Sequence, residues 1–248
     1  MKISNWVKIG GFQKFTLIDF PERLAAIVFT SGCSFRCPFC YNPELVLPEK
    51  IKNQPIVSEK DIFVFLKERQ GLIEGVVLTG GEPTLYKELP ALIKKIKKLG
   101  YSVKLDTNGS NPKMLEELID KKLIDYVAMD IKAPLGVKAQ SSKFKVQNYE
   151  TATGVKGFLE KVKKSVKIIK DSGIDYEFRT TVVPTLHTAE DILEIARHIS
   201  GARKYCLQNF SNKEAMEPGF RKITPYTREQ LEGMRESVLG FVGACAVR

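Results

Sequence analysis

The stretch that decides how this chain is organised reads Thr30-Ser31-Gly32-Cys33-Ser34-Phe35-Arg36-Cys37-Pro38-Phe39-Cys40-Tyr41-Asn42-Pro43. It holds three of the five cysteines of the chain within eight residues, at the spacing Cys-x3-Cys-x2-Cys. Offsets of four and seven residues would also place thiols on one side of a helix. Pro38 excludes that helix, because proline lacks a backbone N–H and its ring collides with the preceding turn. Gly32 and Pro43 mark the two ends of the stretch as loop.

A short apolar run at residues 25–30 precedes the cysteines and predicts a buried strand. A strand that runs directly into a tight loop can place three thiolates around one centre. An iron–sulfur cluster usually takes four cysteines, so three would leave one iron open to a further ligand. A closed zinc site needs a fourth protein ligand. The remaining candidates for that ligand lie far along the chain: Cys206, Cys245, His187 and His198. The spacing alone favours the cluster over zinc, and zinc over unliganded thiols.

Phe39 completes the pattern Cys33-x3-Cys37-x-Phe39-Cys40, which resembles the hallmark of the radical S-adenosylmethionine (radical SAM) superfamily. Two longer stretches, 11–21 and 40–45, are more specific. They resemble the activating proteins of anaerobic (class III) ribonucleotide reductases and other glycyl-radical-enzyme activases. The likeness runs from about residue 10 to about residue 210. Tyr41 stands where those relatives often carry histidine, a minor departure at a position that packs near the adenine.

Length and composition predict one α/β domain over residues 1–248. It would comprise an N-terminal hairpin or edge extension (1–24), a core (25–210) and a C-terminal helical region (211–248). The hydrophobic content of 43% supports a full-sized core. No apolar run is long enough for a membrane-spanning helix, and the N-terminus does not read as a signal peptide. The clustered, odd-numbered cysteines do not suggest a disulfide framework. We therefore expect a cytoplasmic location, where thiols stay reduced.

The net charge of +10 raises the question of nucleic-acid binding. Much of the excess lies in the lysine runs 94–98 and 161–167, where lysines alternate with aliphatic residues at helical spacing. This pattern is typical of the solvated face of a helix. No nucleic-acid-binding motif accompanies it. The sequence favours a basic surface for solubility or for an acidic protein partner.

Strand and helix patterns alternate six times along the chain. Strands are predicted at 25–30, 75–79, 101–105, 126–131, 175–183 and 204–208, after a hairpin or edge strand within 8–20. Helices are predicted from Ser58 onward and at 87–99, 112–121, 156–171, 188–199 and 227–241, with an irregular stretch from 43 to about 57. Such alternation indicates a parallel sheet with right-handed crossovers. Six units are too few for a closed eight-fold barrel, so we expect an open (β/α)6 partial TIM barrel of the radical SAM type.

Polar residues follow every one of these strands, where β/α barrels carry their chemistry. They are the cysteine loop, 79–83, 106–109, 130–132, 179–184 and 208–209. The resemblance implies that Gly80, Gly81 and Glu82 hold the amino group of S-adenosylmethionine. It also implies that Asp106, Thr107 and Asp130 line a monovalent-cation or cofactor-carboxylate site, with Lys132 touching the cofactor. Arg179 needs a partner inside its apolar strand, either the cofactor or a structural ion pair. Phe39 and Tyr41 would pack near the cofactor.

Four other residues are not expected to bind ligands. His187 and His198 are predicted to lie on the surface, at a helix start and on a helix face. Cys206 and Cys245 are predicted to be inert buried thiols. The segment 137–149 is long for a strand–helix connection, so we expect a lid or docking loop there.

The resemblance implies an oxidoreductase with a [4Fe–4S] cluster held by Cys33, Cys37 and Cys40. Flavodoxin or ferredoxin would supply one electron. S-adenosylmethionine would then yield methionine and a 5′-deoxyadenosyl radical, which abstracts hydrogen from a backbone glycine of a partner. Anaerobic ribonucleotide reductase is the favoured partner, ahead of a pyruvate formate-lyase-like enzyme. Two alternatives stay open: a radical SAM enzyme for a small molecule, as in deazapurine synthesis, and a zinc-binding scaffold without enzymatic activity.

Overall fold

Buried apolar strands form a single eight-stranded sheet whose spatial order equals the order along the chain. The computed structural model describes residues 6–55, 57–136 and 149–248, so most of the predicted loop at 137–149 lies outside the described residues. The strands are β1 (Ile9–Thr16), β2 (Ala25–Thr30), β3 (Gly75–Gly80), β4 (Ser102–Thr107), β5 (Tyr126–Asp130), β6 (Asp175–Val182), β7 (Tyr205–Asn209) and β8 (Cys245–Val247). Strand β1 runs antiparallel to β2, and every later pair is parallel. The sheet does not close, which confirms the predicted open partial barrel.

Helices cover the outer face of this sheet. They are α1 (Pro43–Val46), α2 (Pro48–Ile51), α3 (Glu59–Glu68), α4 (Leu89–Lys98), α5 (Pro112–Asp120), α6 (Tyr149–Thr153), α7 (Leu159–Asp171), α8 (Ala189–His198) and α9 (Arg228–Val238). Short 3-10 helices span Pro83–Leu85 and Pro218–Lys222. Side chains that accept a backbone N–H start four of the longer helices: Ser58, Asn111, Thr188 and Thr227.

Two parts of the sequence interpretation were wrong. The stretch 43–57, expected to be irregular, contains α1 and α2, because proline at the first helical position needs no hydrogen-bond partner for its nitrogen. The C-terminal region, expected to be helical, contains the predicted helix but also adds the unpredicted strand β8 to the sheet. Its three residues are too few for a readable alternation, and backbone bonds fix it: the Tyr205 N–H donates to Ala244 O (2.9 Å) and the Arg248 N–H to Leu207 O (2.9 Å).

The inside of the sheet is divided between an apolar floor and a polar mouth. A small cluster fills the floor near the start of the strands: Phe20, Ala25, Ile27, Val77, Tyr126 and Ala128. A larger cluster packs the outer face of the strands against the helices. The floor shuts the barrel at the amino ends of the strands, so a ligand enters from the carboxyl ends or from the open flank between β1 and β8.

Among the described residues, no helix combines the length and apolar composition needed to cross a bilayer.

His187 is buried, and the prediction that it lies on the surface was wrong. Its Nδ1 accepts the Val183 N–H at 3.0 Å, so its Nε2 carries the proton toward Lys132 O, also at 3.0 Å. The imidazole therefore ties the loop after β6 to the loop after β5. Burial lowers the pKa of His187, although the bond to Lys132 O and the nearby Asp191 carboxylate oppose that shift. His198 is exposed on α8, as predicted.

We predict that His187→Gln reduces the loss of stability on acidification. Below the ordinary histidine pKa of about 6.5, the unfolded chain takes up a proton that buried His187 resists, so wild-type stability falls as pH falls. One such group contributes at most about 1.4 kcal/mol per pH unit. Urea unfolding at about pH 7 and about pH 5.5 measures the difference. An unchanged slope in His187→Gln would contradict the account.

Candidate active site

The loop after β2 carries the three clustered cysteines and is held by contacts from distant parts of the chain. Gly32 turns the chain with a φ of 89°, a conformation that glycine adopts without strain. The Arg36 N–H donates to the carbonyl of Thr153 in α6 at 2.7 Å. The Pro38 carbonyl accepts the N–H of Glu217 at 2.9 Å. The loop is therefore fixed in shape without helical or strand bonds of its own, which leaves the thiols free to converge.

The three thiols are partly or fully buried. Cys37 is buried, while Cys33 and Cys40 are half-buried. Burial raises the pKa of Cys33 to about 11 and that of Cys37 to about 12, with the Lys132 charge opposing both shifts. Burial also raises the pKa of Cys40. The metal-free thiols are therefore protonated at neutral pH, and a metal centre must displace their protons.

Gly80 and Gly81 bring a second loop directly against the cysteine loop. Gly80 has a φ of 114°. A Cβ on Gly80 would lie 2.4 Å from the backbone of Thr30, and a Cβ on Gly81 would lie 2.0 Å from the carbonyl oxygen of Gly32. The Gly81 N–H instead donates to Thr30 O at 2.8 Å. Only glycine allows this approach, and it leaves bare backbone facing the same space as the thiols.

Glu82 is fully buried and joins the loop after β3 to the loop after β4. Its carboxylate accepts bonds from the Thr84 hydroxyl (2.5 Å), the Thr107 hydroxyl (2.8 Å) and the Asn108 N–H (2.7 Å). Burial raises the pKa of Glu82, and these bonds oppose the rise. The side chain does not reach the cavity described below. Glu82 thus braces two loops in the structure, and its predicted contact with a cofactor amino group stays a prediction.

A network of five charged side chains joins the carboxyl ends of β4, β5 and β6. Asp106 Oδ1 lies 2.5 Å from Lys104 Nζ, and its Oδ2 lies 3.1 Å from Arg179 Nη1. Asp130 Oδ1 lies 2.8 Å from Arg179 Nε, and its Oδ2 lies 3.0 Å from Lys132 Nζ. The guanidinium of Arg179 therefore bridges both carboxylates. Of the two expectations for Arg179, the structure shows the ion pair, and the same side chain also lines the cavity.

The network keeps Asp130, Lys132 and Arg179 charged. Burial alone would raise the pKa of Asp130, but the charges of Arg179 and Lys132 outweigh it and hold that pKa at about 2. Burial opposes the charged forms of Lys132 and Arg179, yet the carboxylates beside them raise both pKa values. Two cationic groups therefore face the cavity at neutral pH, suited to bind a carboxylate.

Aromatic rings form another wall. Tyr41 stacks on Phe210 with ring centroids 6.2 Å apart and planes at 23°, and its hydroxyl accepts the Ser211 N–H at 2.7 Å. Phe39 is buried, and Lys132 Nζ lies 5.7 Å from its ring centroid. Flat apolar surfaces beside a charged group suit a ligand with both an aromatic base and an ionised end.

These walls enclose one cavity of about 490 Å³. Every predicted site residue except Glu82 lines it: Cys33, Cys37, Phe39, Cys40, Tyr41, Gly80, Gly81, Asp106, Thr107, Asp130, Lys132 and Arg179. The lining also includes Asp19 and Arg248, which were not predicted, and Asn108 and Thr181, which were expected only as polar residues after a strand. Arg248 could not be predicted because its position depends on the unpredicted strand β8. Gln208 and Asn209, expected only as strand-end polar groups, also line the cavity.

The donor set fits an iron–sulfur cluster better than a closed zinc site. Three thiols line one cavity, and Cys33 Sγ accepts the N–H groups of Phe35 (3.4 Å) and of the Asn108 side chain (3.6 Å). None of the candidate fourth zinc ligands lines that cavity: Cys206, Cys245, His187 and His198. Cys206 is buried as predicted, but Cys245 is half-buried. Within the described residues, no group of three or more His, Cys, Asp or Glu side chains is arranged to hold a single metal ion.

Comparison with known proteins identifies relatives over nearly the whole chain. The family described as "Radical SAM superfamily" matches residues 27–199. A Methanocaldococcus jannaschii protein, provisionally named a glycyl-radical enzyme activating enzyme, is 32% identical over 97% of this chain and 95% of its own length. The pyruvate formate-lyase-activating enzyme of Clostridium pasteurianum is 28% identical over 91% of this chain and 98% of its own length. A 7-carboxy-7-deazaguanine synthase of Thermococcus kodakarensis is 24% identical over 96% and 92%.

A solved structure shows the same fold. Streptococcus suis SuiB bound to S-adenosylmethionine superposes with a TM-score of 0.63 at 20% identity. The match covers 88% of this chain and 48% of that chain. At this identity, the likeness supports the partial-barrel fold.

We predict that Gly81→Ala destabilises the protein by about 1–3 kcal/mol, the usual cost of forcing extra atoms into a packed region. The added methyl would collide with the backbone of the cysteine loop, so iron uptake on reconstitution should fall as well. Urea unfolding and iron analysis measure the two effects. Gly233→Ala is the matched control: Gly233 lies exposed in α9 with open space around it, and alanine there should add about 1 kcal/mol of stability. A Gly81→Ala protein as stable as wild type would contradict the loop packing.

Proposed function

The chain belongs to the radical SAM superfamily, and from this membership we propose that it is a glycyl-radical-enzyme activating enzyme. The observation that carries the proposal is the meeting of three thiols, a glycine loop and a cationic network in one cavity at the carboxyl ends of the strands. The membership implies a [4Fe–4S] cluster and S-adenosylmethionine as cofactors. The relative with the highest identity quoted above is provisionally named as such an activating enzyme.

In this proposal Cys33, Cys37 and Cys40 would hold the cluster, and their number leaves one iron without a protein thiolate. When bound, the cluster supplies the electron that cleaves S-adenosylmethionine to methionine and a 5′-deoxyadenosyl radical. The chain itself positions the reactants and keeps water away from them. The burial of the thiols helps to keep water away from the reactants.

Different side chains around the cavity would contact different parts of the cofactor. Arg179 and Lys132 are the cations that would receive its carboxylate. The backbone of Gly80 and Gly81 would lie along its amino end, as the resemblance implies. Tyr41, held flat by its stacking on Phe210, would face the adenine. Each of these groups is fixed by a contact within the protein, so binding would cost little reordering.

The open flank of the barrel supports a macromolecular substrate. Asp19, three residues after β1, and Arg248, directly after β8, both line the cavity, although they follow strands at opposite edges of the sheet. The cavity therefore extends across the gap that a closed barrel would not have. A backbone loop carrying a glycine could enter there and reach the reacting centre.

The partner within this class follows from the resemblance of residues 11–21 and 40–45. We propose anaerobic ribonucleotide reductase, with flavodoxin or ferredoxin as the electron donor. The Clostridium relative supports a pyruvate formate-lyase-like partner as the alternative. The Thermococcus relative supports a small-molecule substrate as a further alternative. A cytoplasmic location stays a prediction.

We predict that Cys37→Ala abolishes S-adenosylmethionine cleavage, because two thiolates cannot retain the cluster. The wild-type protein, reconstituted anaerobically with iron and sulfide and reduced with dithionite, should bind about four irons per chain and release 5′-deoxyadenosine. The variant should lose both. Cys206→Ala is the matched control, since this thiol is buried outside the cavity, and it should keep iron and activity.

The same assay separates the candidate partners. With anaerobic ribonucleotide reductase present, we expect an organic radical on that enzyme by electron paramagnetic resonance, absent when its radical-bearing glycine is replaced. A radical on pyruvate formate-lyase alone would favour the first alternative. Cleavage retained by Cys37→Ala, or one tightly bound zinc in place of iron, would overturn the proposal.

A further inference from the structure

Every oxygen of the two carboxylates at the mouth of the barrel is paired with a cationic group. Each of the four oxygens of Asp106 and Asp130 lies within 2.5–3.1 Å of a cationic nitrogen. A metal ion bound here would lie next to an ammonium or guanidinium group at every one of these oxygens, and the like charges would repel each other. The pair therefore does not fit the monovalent-cation site that the family resemblance implies.

Lys104 is the member of this network that the sequence analysis did not single out. It lies on β4 two residues before Asp106, so both side chains point to the same face of the strand. It is 1% exposed. Its register neighbours are Val77 on β3 and Tyr126 on β5, both part of the apolar floor. An ammonium group in such surroundings is costly unless it is paired, and Asp106 is its ion-pair partner.

The charge balance points the same way. Lys104, Lys132 and Arg179 contribute three positive charges and Asp106 and Asp130 two negative ones, a net charge of +1 for the network. A monovalent metal ion would raise this to +2 in a buried place. A ligand carboxylate would bring it to zero. An anion, rather than a metal cation, would therefore neutralise the charge of the network.

We propose that Lys104 is a built-in cation that takes the place of a monovalent metal ion at Asp106, so that the site binds a carboxylate without added metal. Lys104 is a positioning residue: it holds Asp106 Oδ1 and turns Oδ2 toward Arg179, whose guanidinium then faces the cavity. Its part in holding the cofactor rests on the proposed function. The test below uses the metal-free and cofactor-free protein and therefore stands apart from that function.

The experiment compares thermal unfolding of the apoprotein in potassium, sodium and tetramethylammonium chloride at equal ionic strength. The wild-type Tm should be the same in all three salts. Lys104→Met removes the charge but keeps an unbranched apolar side chain, so Asp106 Oδ1 is left without its cation. The Tm of this variant should fall in tetramethylammonium chloride, and potassium or sodium should restore about 3 °C or more of that loss.

Lys97→Met is the matched control. It breaks another Lys–Asp pair, Lys97 with Asp125 at 2.7 Å, which lies at the surface away from the network. Its Tm should not distinguish the three salts. A purely structural role of Lys104 would lower Tm equally in every salt, and that result would overturn the proposal.

A rise of the wild-type Tm specific to potassium or sodium would also overturn it, and this arm needs no variant. If Lys104→Met does not fold, Lys104→Gln takes its place, and its Tm values in the three salts are compared in the same way. In the reconstituted protein, wild-type 5′-deoxyadenosine formation should change less than about twofold between potassium and tetramethylammonium salts. Absence of cleavage in every salt would count against the proposed function and leave the Tm result intact.

Discussion

The bridge that Arg179 makes between Asp106 and Asp130 is the constraint on which the mouth of the barrel depends. It joins three neighbouring strands at their carboxyl ends and fixes a densely charged wall of the cavity. Burying such ions is unfavourable unless each is paired and hydrogen-bonded. The pairing extends outward to Lys132 and inward to Lys104, so the charged wall is a connected unit. Loss of one member would leave a buried charge without its partner.

The cysteine thiols are positioned by backbone contacts rather than by ion pairs. The cysteine loop has no regular structure, and its shape comes from backbone bonds to remote segments and from the close fit of Gly81 against Gly32. One wall of the cavity thus carries the three cysteine thiols, which suit a cluster. Another wall carries the ion-pair network, whose cations suit a carboxylate. A ligand that bridges the two walls would be held at both ends. This arrangement suits radical transfer to an incoming peptide.

Much of this was readable from the sequence because apolar strands followed by polar residues have few alternative arrangements. The six central strands, the open sheet and the residues lining the cavity follow from that pattern. Strand β8 was missed because three residues carry too little pattern. The burial of His187 was missed because two ring bonds to backbone groups leave no sequence signal. The cation partner of Asp106 was missed as well, although the two-residue spacing of Lys104 and Asp106 on a strand would have indicated it.

The central claim is that Cys33, Cys37 and Cys40 would hold a cluster in the same cavity as the carboxylate-binding wall. The most direct test is electron paramagnetic resonance of the reduced, reconstituted protein with and without S-adenosylmethionine. The account predicts that the cofactor changes the g values of the cluster signal, because both would occupy the same cavity, in contact with each other. A spectrum that S-adenosylmethionine leaves unchanged at saturating concentration would contradict the account, since it would place the cofactor away from the cluster.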